Sequence, residues 1–184
     1  MTGTPLNERF PWYEIVHGIE LQQGDLLTAC PILKPKFKAL TSPGEVTITV
    51  NARTGIILTQ SCDLAVRPDG SAHCDEVLLC PIYSQPELAN HPVYRRRSAW
   101  EEARKGRHPS YHVLNRCGLP GHERDFMLVD FSRAFTLEIS LARELAVSLG
   151  ARLRLQPPYR EHLAQAFARF FMRVGLPVDI PPFR

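Results

Sequence analysis

Apolar and polar positions alternate in Val46-Thr-Ile-Thr-Val50, where three β-branched apolar residues are separated by threonines. A period of two is the pattern of a half-buried strand. Gly55-Ile-Ile-Leu-Thr59 is instead a continuous apolar run, the pattern of a central strand. Gly24-Asp25 opens a third strand through Leu26, Leu27 and Ala29. Glu76-Val-Leu-Leu-Cys80 reads as a strand stopped by Pro81, Asp125-Phe-Met-Leu-Val129 as another, and Tyr111-His-Val-Leu114 as a short one. Between them, Pro31 to Gly44 and Gln85 to Pro92 read as loops and Asn51 to Thr54 as a turn. Arg67-Pro-Asp-Gly-Ser71 carries the Pro-Asp-Gly signal of a tight turn.

The helical pattern is concentrated near the end of the chain. Leu137, Leu141, Leu145 and Leu149 fall four apart, with Thr136 placed to cap the start and Gly150 to close the end. A second helix begins at Pro158 and stops at Gly175 and Pro177. Its stripe of Leu163, Phe167, Phe170, Phe171 and Val174 is suited to core or dimer packing, with Glu161, Gln165, Arg169 and Arg173 opposite. Shorter helices are expected around Pro11–His17 and from Arg95 to Lys105, the latter ended by Gly106. The organisation predicted is one domain over 1–184. Its strand core spans about 20–135 with an insertion at 85–124, and helices fill 136–184.

Composition narrows the class. With 44% hydrophobic and 22% charged residues in 184, the chain can bury a core of its own. No run approaches the length of a membrane span, and no secretory leader pattern opens the chain. Five cysteines, irregularly spaced, argue against a disulfide framework and for a reducing compartment, so a cytoplasmic location is expected. The net charge of +3 is unevenly spread: His91 to Arg124 holds eight Lys/Arg against three Glu. Most of the basic residues are Arg, whose planar fork suits phosphate or carboxylate. This segment, with Arg95, Arg96 and Arg97 in sequence, is either a solvated face or a contact for an anionic partner such as RNA or DNA.

Four blocks together resemble a bacterial family of uncharacterised function marked by a Gln-Ser-Cys-Asp motif. They are Gln23-Gly-Asp-Leu26, Ile57-Leu-Thr-Gln-Ser-Cys-Asp-Leu64, Met127-Leu-Val-Asp-Phe131 and the helix from Tyr159 to Pro177. More distantly, the order of punctuated strands is similar to the MazF/PemK toxin-like family. The similarity is carried by Gly24-Asp25, by Arg53 before Gly55-Ile-Ile-Leu58, by Leu78-Leu-Cys-Pro-Ile82, and by Leu128-Val-Asp-Phe-Ser-Arg133 followed by a helix. Thr54 stands where that family has Pro, and Tyr83 where it has Thr. The resemblance implies an α+β chain: an SH3-like (MazF/PemK-like) curved antiparallel β-barrel with a helical insertion and C-terminal helices. It also implies metal-independent RNA cleavage as a possible activity.

Two constellations carry candidate chemistry. Gln60-Ser61-Cys62-Asp63 follows an apolar strand, where loops commonly bear function. Cys62 is there a candidate nucleophile and Asp63 a base or orienting group, with Gln60 and Ser61 as binding residues. The structural alternative is a small packed thiol and an Asp63 carboxylate accepting backbone or Arg hydrogen bonds. The second constellation is Arg53, Ser84, Asp130 and Arg133. In metal-free phosphodiester cleavage, Arg53 would offset charge on phosphorus and Asp130 would move a proton, with His112 as a further candidate base. Alternatively, Asp130 fixes a turn and pairs with Arg133. His73, Cys74, Cys80, Cys117 and His122 are potential zinc ligands, but no Cys-x-x-Cys pair orders them, and the reading assigns neither metal nor cofactor. The leading expectation is a binding protein for nucleic acid or another anion. A metal-independent endoribonuclease and a protein-interaction subunit, or a homodimer docking through the C-terminal helix, are the alternatives. No membrane partner is expected.

Overall fold

The computed structural model describes residues 11–37, 46–68 and 71–172. Eight strands form two antiparallel sheets. β1 (Tyr13–His17) pairs with β8 (Ala151–Leu155) as a two-stranded ribbon. The larger sheet runs β2 (Leu26–Phe37), β3 (Val46–Ile57), β4 (Glu76–Ser84), β6 (Met127–Asp130) and β5 (Tyr111–Leu114), and β7 (Phe135–Glu138) also pairs with β4. The described helices are α1 (Ser61–Leu64), α2 (Arg97–Arg104), α3 (Ile139–Ser148) and α4 (Tyr159–Phe171).

The sheet does not close into the expected SH3-like barrel. Its outer strands are β2 and β5, and β1 pairs with neither. Backbone bonds tie the ribbon to the start of β2, through the Asp25–Arg154 bridge and the Leu155 N–H, which donates to the Gly24 carbonyl at 3.0 Å. On the far side it packs into a shared core and the Tyr13 hydroxyl donates to the Asn115 carbonyl at 2.7 Å, with no strand pairing there among the described residues. A closed barrel needs continuous backbone pairing around the ring. Here β2 spends its length on β3, in a long hairpin whose outer half extends beyond the three-residue register that β3 shares with β4. That half shows Leu33, Ile48 and Val50 to solvent.

Both faces of the sheet are covered, which explains the unbroken apolar run from Gly55. Ile56 belongs to one core with Leu26, Ile82, Val129 and Leu163 of α4. Ile57, its neighbour on the opposite face, belongs to another with Leu27, Leu79, Leu137 and Ala142 of α3. Alternation along the strand makes this division automatic. Gly55 is required by close approach, since a Cβ there would lie 3.0 Å from the Phe135 ring and 3.1 Å from the Leu79 side chain. A third core packs Ala99, Trp100 and Ala103 of α2 with Tyr94, Leu88 and Leu128. Leu163 is fully buried, and Phe167 and Phe170 pack with it, so the apolar face of α4 is used within the chain; Phe171 is exposed.

Several sequence expectations are corrected. Residues 13–17 form a strand, not a helix, because β8 supplies a pairing partner. The expected loop from Pro31 and the turn at Asn51–Thr54 are continuous strand, paired from Cys30↔Arg53 outward. Pro81 does not stop β4, which continues to Ser84. Thr136 and Leu137 lie in β7, with Leu137 opposite Val77, so the helix begins only at Ile139. The tips at Pro43-Gly44 and Asp69-Gly70, and the helix end at Val174, Gly175 and Pro177, lie outside the described residues.

The junction between ribbon and sheet is ionic. Asp25 is completely buried, and Arg152 and Arg154 of β8 both donate to it. Arg152 Nε donates to Asp25 Oδ2 at 2.8 Å and Arg154 Nη2 to the same oxygen at 3.0 Å. Remaining guanidinium N–H groups donate to carbonyls: Arg152 to Gly18 at 2.7 Å and to Glu20, and Arg154 to Glu20 at 3.1 Å. One carboxylate and two backbone carbonyls thus answer two buried cations.

Candidate functional site

The Gln-Ser-Cys-Asp segment forms one turn of helix at the end of β3. Ser61 Oγ accepts the Gln23 N–H at 3.2 Å, and the buried Gln23 side chain donates to the Leu58 carbonyl at 2.8 Å. These bonds seat the turn against the strand. Gln60 and Cys62 are exposed, and with Ser61 they edge a shallow depression whose other wall is Arg160 and Glu161 of α4. Cys62 Sγ lies 3.7 Å from Asp63 Oδ1. The expectation that Asp63 accepts backbone or Arg hydrogen bonds is not met: its exposed carboxylate has only that thiol contact among the described residues.

The second constellation separates into two structural pairs. Glu87 gathers the first: its Oε2 accepts from both Ser84 N and Ser84 Oγ at 2.8 Å, and its Oε1 lies 3.6 Å from Arg53 Nη1. The Arg53 guanidinium also sits 5.7 Å from the centre of the Tyr83 ring. Asp130 is buried and caps the 3₁₀ turn Phe131–Arg133, accepting Ser132 N at 3.0 Å and Ser132 Oγ at 2.5 Å. Arg133 Nε lies 3.6 Å from its other oxygen. Asp130 therefore fixes the turn that separates β6 from β7, as the structural alternative expects. No hydrogen bond or ion pair joins Arg53, Asp63 and Asp130 among the described residues; each has a different partner. The potential zinc ligands do not converge either: no group of three or more His, Cys, Asp or Glu is placed to hold a metal among the described residues. Burial pushes the Cys80 thiol up to about 12, aided by the Asp130 charge, and the Cys30 thiol up to about 11. Both are packing groups.

A different region brings charge together. α2, β5 and α4 enclose a cleft of about 510 Å³. Arg104, Lys105 and His108 line it from the end of α2 and the following connection, His112 from β5, and His162 and Arg169 from α4. No carboxylate lines it among the described residues. On the outer side of α2, Glu101 accepts from Arg104 at 2.9 Å, and Glu102 accepts from Arg107 at 2.8 Å and lies 3.8 Å from Lys105. Those hydrogen bonds hold both carboxyls below their ordinary range. Arg169 and His162 have no carboxylate ion pair among the described residues, whereas His108 lies near enough to Glu102 to help hold its carboxyl down. Arg95, Arg96 and Arg97, at the other end of α2, are exposed and likewise without an ion pair among the described residues.

His112 is partly buried, its ring 6.3 Å from that of Phe131. Burial, reinforced by the neighbouring His162, pushes its pKa down to about 4. Under the same end of α2, the Tyr94 ring packs 4.5 Å from that of Tyr111, and its buried hydroxyl has no hydrogen-bond partner among the described residues.

The sequence pattern points to Arg95–Arg97 and names His112, but does not reveal His108, His162 and Arg169 as one lining. Their separations along the chain give no local signal. The one cue is the polar side of the last helix, where Gln165 and Arg169 lie one turn apart. No helix is long and apolar enough to cross a membrane among the described residues. Compared with known proteins, the chain matches no family model and no curated protein.

Proposed function

We propose that this protein binds a polyanion, with nucleic acid as the partner class, through the α2–β5–α4 cleft and the adjoining Arg95–Arg97 segment. The observation that carries the reading is the cleft lining: cations and histidines from three elements, with no carboxylate among the described residues. Phosphate oxygens accept hydrogen bonds and carry charge, so each would answer donors that the fold leaves unanswered. α2 spans about 10 Å from Arg97 to Arg104 at the rise of a helix, long enough for an extended strand to meet charge at both ends. Backbone phosphates engaged in this way release counterions, so affinity should fall as salt rises.

The test is titration of a labelled single-stranded oligonucleotide over a salt series. Replacing Arg95, Arg96 and Arg97 by Gln should flatten the plot of log affinity against log salt by roughly one unit for each phosphate that the variant no longer neutralises. Arg169→Gln should weaken binding further while leaving the melting temperature in place. Salt-independent binding, or none at low salt, would overturn the reading.

A further inference from the structure

We propose that a phosphate group bound in this cleft is the counter-ion of His112, so that binding draws a proton onto that ring. The inference rests on the polyanion reading and adds which residue changes charge when the ligand arrives.

The argument begins with what surrounds His112. The cleft presents Arg104 and Lys105 from α2, His108 from the connection, Tyr111 from β5 itself, and His162 and Arg169 from α4. Phe131 stacks against the ring from the start of the 3₁₀ turn. None of these groups is an acceptor of full negative charge. Protonating His112 in the empty cleft would add a cation beside cations, on a ring already partly withdrawn from water. The ring therefore stays neutral, its pKa pushed down to about 4 by burial first and His162 second.

A phosphodiester oxygen entering the cleft reverses the sign of that environment. It accepts a charge-assisted hydrogen bond from imidazolium and offsets the His112–His162 repulsion. The proton is taken up by His112, the ring that burial otherwise keeps neutral. The step balances simply: one proton leaves solvent for an imidazole nitrogen, and no bond of the ligand breaks. Linkage requires the converse, that acidification strengthens binding over the interval in which free His112 is neutral and bound His112 is charged.

The experiment uses the full chain and a thymidine oligonucleotide, whose phosphodiesters and bases hold their charge at mildly acidic to mildly basic pH. Calorimetric titration at about pH 5.5, in two buffers of different ionisation enthalpy, should show uptake of roughly one proton per cleft, with almost none near pH 8. Affinity should rise about tenfold or more over the same interval. The His112→Gln variant should bind with no proton uptake and a flat pH profile. Should it fail to fold, the carbon-bound ring proton signals of His112 in the parent protein, followed by NMR at about pH 5.5, should move from the neutral to the protonated position when the oligonucleotide is added. Binding without proton uptake, or uptake unchanged in the variant, overturns this inference and leaves the polyanion reading intact. Absence of binding at low salt at every pH overturns both.

Discussion

Two regions of this molecule concentrate positive charge, and they do so in opposite ways. At the ribbon–sheet junction, Arg152 and Arg154 are buried, but Asp25 lies between them and the carbonyls of Gly18 and Glu20 take their other donors. In the α2–β5–α4 cleft the charge is more accessible: Arg104 and Lys105 lean on Glu101 and Glu102 outside the lining, while Arg169 and His162 have no ion pair among the described residues. A buried charge that is answered inside the chain holds elements together. A charge left unanswered in an open cleft is positioned for something outside it. The comparison can be broken at either end.

The largest effect is expected at the junction. Asp25→Ala leaves two guanidinium groups buried without their anion and should cost about 3–5 kcal/mol, measured by urea unfolding. The sharper form replaces all three residues by apolar side chains of similar volume. If the cluster serves only to join ribbon and sheet, that triple variant should recover most of the loss. A mild Asp25→Ala effect would place the junction with the cleft, as charge that the fold tolerates unpaired.

The next effect belongs to His112 and to pH. The unfolded ring binds its proton near the ordinary value of 6.5 and the folded ring only near 4. The unfolded state therefore holds more protons between these values, and stability falls as pH drops through that window. The full contribution approaches about 3 kcal/mol, present above pH 6.5 and lost towards pH 4. Comparing the pH dependence of unfolding in the parent and in His112→Gln isolates it: the variant's stability should decline less steeply on acidification. Equal slopes would show that the cleft does not hold this ring neutral.

The smallest effect is expected at the Gln-Ser-Cys-Asp turn. The Cys62 and Asp63 side chains are exposed and, among the described residues, hydrogen-bond only to each other, so Cys62→Ser and Asp63→Asn should each change stability by less than about 0.5 kcal/mol. Neither should alter oligonucleotide affinity. A loss of about 1 kcal/mol in Asp63→Asn would restore the capping role that the geometry denies.

What could be read in advance follows the reach of each signal. The strand at Val46–Val50 was legible from its period alone, although Ile48 and Val50 face solvent instead of making it half-buried, and the run from Gly55 was legible as strand as far as Ile57, where both faces are covered. Leu137 misled because spacing of four fits a helix, while residues 135–138 equally fit a short strand; the partner Val77 decides between them. Lys34, Pro35 and Lys36 resemble a loop because this part of the hairpin is flanked by β3 alone. In β8, Leu153 and Leu155 alternate with Arg152 and Arg154, a pattern that would ordinarily send the arginines to water. Only the fold shows that a fully buried aspartate waits for them from 127 residues away. The cleft was illegible for the same reason: His112 and His162 meet only after the sheet and α4 have packed.

The pairing of β1 with β8 also governs how the chain can reach this structure. Tyr13 joins Leu155, and His17 joins Ala151, so the first described strand finds its partner only after nearly everything between has been made. On a ribosome, β1 emerges early and stays unpaired while the β2–β3 hairpin, a local contact, is free to form. Closing so long a loop costs entropy before any contact repays it, and contacts of this separation slow folding. The ribbon is therefore a late event, and the ion cluster at Asp25 can assemble only with it, which makes that cluster a lock set after the sheet exists rather than a nucleus that starts it.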